Sequence, residues 1–247
     1  MTLRALIRRV VPMSARQHWA HMRRRLHDKM HGIRFGTGSC GIASAHPIRL
    51  IQPIMPGAFY DNKITNISRG CTLLSRTVIE SQESWSFWQR LHRPNAANGF
   101  VTGRNLVNGV LTAQTGGGLC QLSSMVYHLA LLAGLSIIER HPHSIDIYEE
   151  HQRFTPLGAD ATVVWGFKDL RLHNPHPFPV SFEFFVNNGQ LTGEVHAAEH
   201  LSSHDVQFIK RPLETPWMQI DTHINGQLSN TTLYEQKQDM QMTTASL

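Results

Sequence analysis

Three consecutive glycines, Gly116-Gly117-Gly118, run directly into Leu119-Cys120-Gln121-Leu122-Ser123-Ser124, and no other stretch constrains the 247-residue chain as tightly. Glycine has no Cβ and reaches φ > 0, so the run reads as a tight turn or a close backbone approach. Beyond it, Leu119, Leu122, Val126, Leu129 and Ala133 fall on one helical face, and Gly134 supplies a C-terminal stop. The sequence therefore predicts a helix over 120–133, buried along one side and carrying Cys120 at its entrance. At that end of the macrodipole the thiolate is favoured, against a free cysteine pKa of about 8.5.

Residues 1–34 carry Arg4, Arg8, Arg9, Arg16, Arg23, Arg24, Arg25, Lys29 and Arg34 against a single acid, Asp28, so much of the formal charge of +5 arises there. Among them Trp19, Met22, Leu26 and Met30 recur at i, i+3, i+7 and i+11, the stripe of an amphipathic helix separated from the first residues by Pro12. Such a stripe docks against the rest of the protein, the commoner fate, or lies on a membrane interface. A basic patch suits an anionic membrane, nucleic acid or an acidic partner. Aromatic and basic residues are not interleaved as a nucleic-acid module requires, so no nucleic acid is expected. Residues 35–62, dense in glycine and proline, read as a connection with one short strand at 48–51.

Residues 63–79 place Ile64, Ile67, Cys71, Leu74 and Val78 at helical spacing, with Cys71 as a small core hydrophobe. Glu83-Ser84-Trp85-Ser86-Phe87-Trp88 then reads as an aromatic strand. Asn108-Gly109, between Leu106-Val107 and Val110-Leu111, is a two-residue hairpin signature that delivers the chain to the glycines. After the central helix, strands are expected at 135–140, 145–148, 161–165, 169–173, 180–186, 190–195, 206–210, 217–222 and 231–236. The expected fold is α+β: a central buried helix with Cys120 at its N-terminus, packed with a helical N-terminal part on an antiparallel sheet built from the later strands. Residues 1–62 form basic amphipathic helices and a connection, 63–237 the core, and 238–247 a frayed tail.

Cys40, Cys71 and Cys120 lie far apart with no C-x-x-C pair, which points to reducing surroundings. No window of about eighteen apolar residues exists, and arginines interrupt the N-terminal apolar stretches before a leader core can form. The expectation is a cytoplasmic protein whose basic N-terminus is free to meet an anionic membrane peripherally.

A cysteine nucleophile needs a setting that favours thiolate, an imidazole to shuttle the proton, and a group to orient that imidazole. Cys120, His143 and either Asp146 or Asp160 can supply these. The layout resembles papain-like and transglutaminase-like cysteine folds, in which Cys opens a helix and His and Asp follow on strands. Backbone N–H groups of Gly116, Gly117, Gly118 and Gln121 are candidates for an oxyanion site. His141 and His143 would share a face of a strand, but no His-x-x-x-His, Cys-x-x-Cys or carboxylate at standard spacing accompanies them, so neither metal nor cofactor is expected. The glycine run also lacks the Lys-Ser/Thr of a phosphate loop.

Gly116-Gly117-Gly118-Leu119-Cys120-Gln121-Leu122-Ser123, Glu139-Arg140-His141-Pro142-His143-Ser144, Ala161-Thr162-Val163 and Asp169-Leu170-Arg171-Leu172-His173-Asn174 together resemble the VanW family, named for an accessory protein found with vancomycin-resistance genes. Lys63-Ile64-Thr65-Asn66-Ile67, Ser86-Phe87-Trp88, Gly99-Phe100 and Gly109 fit the same pattern, and the resemblance covers about residues 14–197. It implies peptidoglycan or its precursors as the ligand class, and Cys120, Gln121, Ser123, His143, Ser144 and Asp169 as the characteristic polar positions. With His141 and the three glycines, these are the expected pocket residues. The leading expectation is a cysteine-dependent acyl transferase, amidase or peptidase using Cys120 and His143 on a peptide-like cell-wall precursor. The alternatives are an accessory module that binds such precursors without turnover, and a purely structural role for the glycine run.

Overall fold

A computed structural model describes residues 11–38, 40–107, 110–146 and 149–236. The first basic segment, the Asn108-Gly109 turn, the end of the 145–148 strand and the tail fall outside the described residues. In chain order the elements are α1 (Met13–Met30), β1 (Ile48–Pro53), α2 (Tyr60–Leu74), β2 (Val78–Ile79), β3 (Ser84–Ser86), α3 (Phe87–Leu91), β4 (Thr102–Val107), β5 (Val110–Thr115) and α4 (Leu119–Leu132). There follow β6 (Ser136–Glu139), β7 (Ile145–Asp146), β8 (Arg171–His173), β9 (Val180–Asn187), β10 (Gln190–Ala197), β11 (Val206–Pro212), β12 (Trp217–Ile224) and β13 (Gln227–Gln236).

The fold is mixed α+β, with an N-terminal helix and several sheets. Their strand orders are β1-β10-β9-β2, β11-β12-β13-β7 and β3-β8-β6, with β4 and β5 paired by themselves. Pairings between these strands are antiparallel except β13 with β7. The main sheet is not assembled from late strands alone: β1, from the punctuated connection, pairs along β10 from Ile48↔Val195 to Pro53↔Gln190.

The apolar stripe of α4 explains its position. Leu122, Met125, Val126 and Leu129 are fully buried, each contributing about 1.5–3 kcal/mol relative to exposure. Small residues let the helix approach both neighbours: a Cβ on Gly70 of α2 would lie 2.5 Å from Leu122 Cδ2, and one on Gly193 of β10 would lie 2.8 Å from Leu129 Cδ1. Because side chains alternate along a strand, Leu191 and Val195 share the Gly193 face, and the β9 partners Phe182 and Phe184 complete that face of the core.

Several local expectations are corrected. The helix predicted over 63–79 spans Tyr60–Leu74; Ser75 turns extended and Arg76 takes φ 62°, so Val78 joins β2 instead. The aromatic run at 83–88 is a strand for three residues only. Ser86 Oγ accepts from Gln89 N at 3.1 Å and starts α3, so Phe87 and Trp88 are helical. No strand forms at 161–165; α4 side chains hold its start, and Val164 and Lys168 close a turn.

The largest departure concerns α1. Trp19, Met22, Leu26 and Met30 face solvent, and the helix docks through its opposite side. Arg24 grips Glu139 with Nη2 at 2.8 Å and the Phe167 carbonyl at 2.8 Å, Asp28 pairs with Arg171 at 2.6 Å, and His21 stacks on Trp165. The receiving surface presents charges from β6 and β8, so it selects the charged face of the helix. Among the described residues, no helix is long and apolar enough to cross a membrane.

Candidate functional site

The glycine loop is locked by contact as well as by torsion. A Cβ on Gly117 would lie 2.3 Å from the Gly103 carbonyl carbon, which leaves room only for glycine. Gly118 caps α4 at φ 101°, a conformation other residues rarely adopt. Asn66 of α2 fastens the loop, donating through Nδ2 to the carbonyls of Gly117 at 2.9 Å and Val101 at 3.0 Å. Cys120 is thereby fixed in the first turn of a helix that the core holds rigid.

From there the site is built outward by hydrogen bonds. Ser124 Oγ donates to Cys120 O at 2.6 Å and accepts from Ala161 N at 3.0 Å, while Ser123 Oγ donates to Ala161 O at 2.6 Å. These bonds hold residues 160–163 beside the helix N-terminus. Asp160 thus meets His143: its Oδ2 lies 2.8 Å from His143 Nδ1 and accepts the His143 backbone N–H at 2.6 Å. Arg140 donates to Asp160 Oδ1 at 3.0 Å and to the Asp160 carbonyl at 2.8 Å, and Tyr234 donates its hydroxyl to the same Oδ1. Arg140 also binds Thr232 Oγ1 at 2.8 Å and lies over the Tyr127 ring.

This network sets the charges. Burial raises the Asp160 pKa, but the bond from His143 and the charge of Arg140 outweigh it and hold the carboxyl well below the usual range. Burial likewise disfavours imidazolium, yet the bond to Asp160 and the neighbouring Cys120 push His143 up to about 10. Burial pushes the Cys120 thiol upward; His143 and the Val163 backbone N–H reverse this and bring it below the ordinary thiol value. Cys71 is the contrast. Buried in the core, it is pushed up to about 12.

Cys120, Gln121, His143 and Asp160 line a cavity of about 400 Å³, closed on other sides by Phe154, Tyr60 and Tyr234 among others. Lys63 and Arg104 also line it, and among the described residues neither has a carboxylate within ion-pair distance. Lys63 sits over the loop, with its Cγ 2.8 Å from where a Gly118 Cβ would be, and burial lowers it to about 8. The N–H groups of Gly116, Gly117, Leu119 and Gln121 bond to the carbonyls of Val101, Gln114, Gly116 and Gly118. The expected Gln121 oxyanion donor is therefore engaged, whereas the Cys120 N–H has no acceptor among the described residues. Gln121 Nε2 donates to Pro53 O at 2.9 Å, and its Oε1 is buried without a partner among the described residues.

Of the two aspartates left open by the sequence, only Asp160 contacts His143. Asp146 also lines the cavity, but its two oxygens are clasped by Arg153, one of them at 2.8 Å from Nη1. Of the other expected pocket residues, Gly118 and Gln121 line the cavity, whereas Gly116, Gly117, Ser123, His141, Ser144 and Asp169 do not. His141 turns its Nε2 to Glu139 at 2.8 Å; Asp169 caps α3 by accepting from Ser86 Oγ at 2.7 Å and Trp88 N at 3.2 Å; Ser144 offers its backbone carbonyl to Glu235 N at 3.0 Å. Ser123 acts as a brace rather than lining the cavity. Sequence reasoning missed Tyr234 and gave Arg140 no role. A signal existed for Tyr234: it alternates with Thr232 on the inward face of a strand, and a buried phenol requires a partner.

Comparisons with known proteins place these residues in context. Residues 62–196, more than half of the chain, match the family described as VanW like protein. The chain is 27% identical over 139 residues to the vancomycin B-type resistance protein VanW of Enterococcus faecalis, covering 56% of this chain and 50% of that protein. It is 28% identical over 151 residues to the uncharacterized protein YoaR of Bacillus subtilis, covering 61% of this chain and 48% of that one. The chain thus spans about half the length of the curated relatives it matches. No solved structure matches.

Proposed function

The chain belongs to the VanW family, and from that premise and the geometry of its cavity we propose that it is a cysteine-dependent acyl-transfer or amide-hydrolysing protein acting on peptide-like cell-wall material. The carrying observation is the Cys120 thiol, lowered by a His143 that Asp160 holds protonated, at the wall of a cavity large enough for a short peptide. The name of its Enterococcus relative, a vancomycin resistance protein, supports cell-wall precursors as the ligand class. Lys63 and Arg104 suit a ligand carboxylate, and Gln121 Oε1 suits a ligand N–H.

In this mechanism the Cys120 thiolate attacks the acyl carbon, a C–S bond forms, and the carbonyl π electrons move to oxygen, where the Cys120 N–H can donate. The C–N bond then breaks as His143 gives its proton to the departing amine nitrogen. Neutral His143 next takes a proton from water or an acceptor amine, which displaces the thiolate and releases the acyl group. Asp160 stays ionised and keeps the imidazole oriented. The test uses synthetic cell-wall stem peptides, followed for cleavage or transfer by mass spectrometry and for binding by calorimetry. Cys120→Ala is expected to bind but not turn over. Undiminished turnover by that variant refutes the proposal, and binding by the unaltered chain without any turnover favours an accessory binding module.

A further inference from the structure

The outward face of α1 has no role in the cavity chemistry. Trp19 is 70% exposed, Met22 65%, Leu26 59% and Met30 68%. At 100° per residue these four fall within one narrow sector of the helix, on the side away from Arg24 and Asp28, whose contacts to Glu139 and Arg171 fix the orientation. Arg23 borders the stripe on one side, and Arg25 and Lys29 on the other, all exposed and without an ion pair among the described residues. The only acid in residues 1–34, Asp28, is turned inward and neutralised.

We propose that α1 is an interfacial helix that seats the protein on an anionic lipid bilayer, with Trp19, Met22, Leu26 and Met30 entering the headgroup–acyl boundary and Arg23, Arg25 and Lys29 meeting the lipid charge. A contiguous apolar stripe bordered by cations on both sides is what such a surface requires, since apolar burial and electrostatic attraction act together. A nucleic acid would use the cations and leave the stripe in water. A second copy of the chain would bring like charges together along both borders. The inward polar contacts matter too: they hold the stripe outward before any bilayer is met, so binding does not have to order the helix.

The test is sedimentation of the full chain with vesicles of phosphatidylcholine alone and of phosphatidylcholine mixed with phosphatidylglycerol. The mixed vesicles are expected to carry the protein down, and added salt to weaken this. The pair Trp19→Ser and Leu26→Ser should lower the partition coefficient by about tenfold or more, and Arg23→Gln or Arg25→Gln by about fivefold each. All are surface positions, so melting temperatures should not move, and brominated lipid should quench Trp19 in the unaltered chain, judged against Trp19→Phe. Failure to sediment with anionic vesicles, equal binding by the Trp19/Leu26 variant, or occupation of the stripe by self-association without lipid overturns the proposal. None of these outcomes bears on turnover at Cys120, which is assayed with soluble peptides.

Discussion

Replacing His143 by Gln isolates the interaction on which the chemistry depends. In the folded chain the imidazole is protonated up to about 10 and offsets the burial that would otherwise raise the Cys120 pKa. Moving an imidazole from 6.5 to about 10 corresponds to a preference for imidazolium on the order of 5 kcal/mol, shared between Asp160 and the thiolate. Gln carries no charge, so burial acts on Cys120 opposed only by the Val163 N–H, and Cys71, at about 12, indicates the direction of travel. A thiol raised above the ordinary cysteine value has less thiolate at pH 7 than the few per cent of an unperturbed cysteine. Alkylation of Cys120 at pH 7 should therefore drop, by about tenfold for each unit the thiol rises, as read by iodoacetamide labelling from pH 5 to 10 with peptide mass spectrometry. Cys71 in the same digest serves as the inert control. Asp160 keeps Arg140 at 3.0 Å and the Tyr234 hydroxyl, so the variant should fold. A labelling profile unchanged by His143→Gln would refute the reasoning, because helix position alone would then account for the thiol.

Arg140→Met should cost about 3–5 kcal/mol, since it leaves a buried carboxylate short of its main counter-charge, and should lower the melting temperature by roughly 10 °C in calorimetry. Gly117→Ala forces a Cβ to within 2.3 Å of the Gly103 carbonyl carbon; a loss of about 1–3 kcal/mol or more in urea unfolding, with a raised Cys120 alkylation midpoint, is the expected result. Asp169 is pushed up to about 6 by burial, so its folded form holds the proton more tightly than the unfolded form. The stability this gives is present below about pH 4 and lost as pH rises through about 6, and Asp169→Asn should flatten that decline in urea midpoints. Glu139 works in the opposite direction: held down at about 2, it contributes stability above about pH 4.5 that is lost as pH falls through about 2, and Glu139→Gln should remove that acid-side loss.

The glycine run and the stripe of α4 were legible because both are local: periodicity predicts a buried helix, and consecutive glycines predict a place where no side chain fits. The late hairpin strands were legible for the same reason. Choosing between Asp146 and Asp160 was not local, because it depended on Ser123 and Ser124 drawing residues 160–163 onto the helix and on Arg153 claiming Asp146. Asp169 and His141 illustrate the converse. Both are expected in the pocket, yet one caps a helix and the other hydrogen-bonds to the Glu139 that Arg24 holds. The stripe on α1 was visible as a pattern, but its direction was not, since periodicity identifies two faces and only the charges on β6 and β8 decide which one docks.

The claim that Cys120 carries an acyl group is tested most directly by intact-protein mass spectrometry of the chain quenched in acid during reaction with a cell-wall stem peptide or an activated ester of it. The expected result is a mass increase equal to the acyl portion, mapped to Cys120, absent from Cys120→Ala and accumulating more slowly in His143→Gln. Turnover with no adduct on Cys120, or an adduct that persists in Cys120→Ala, would contradict it.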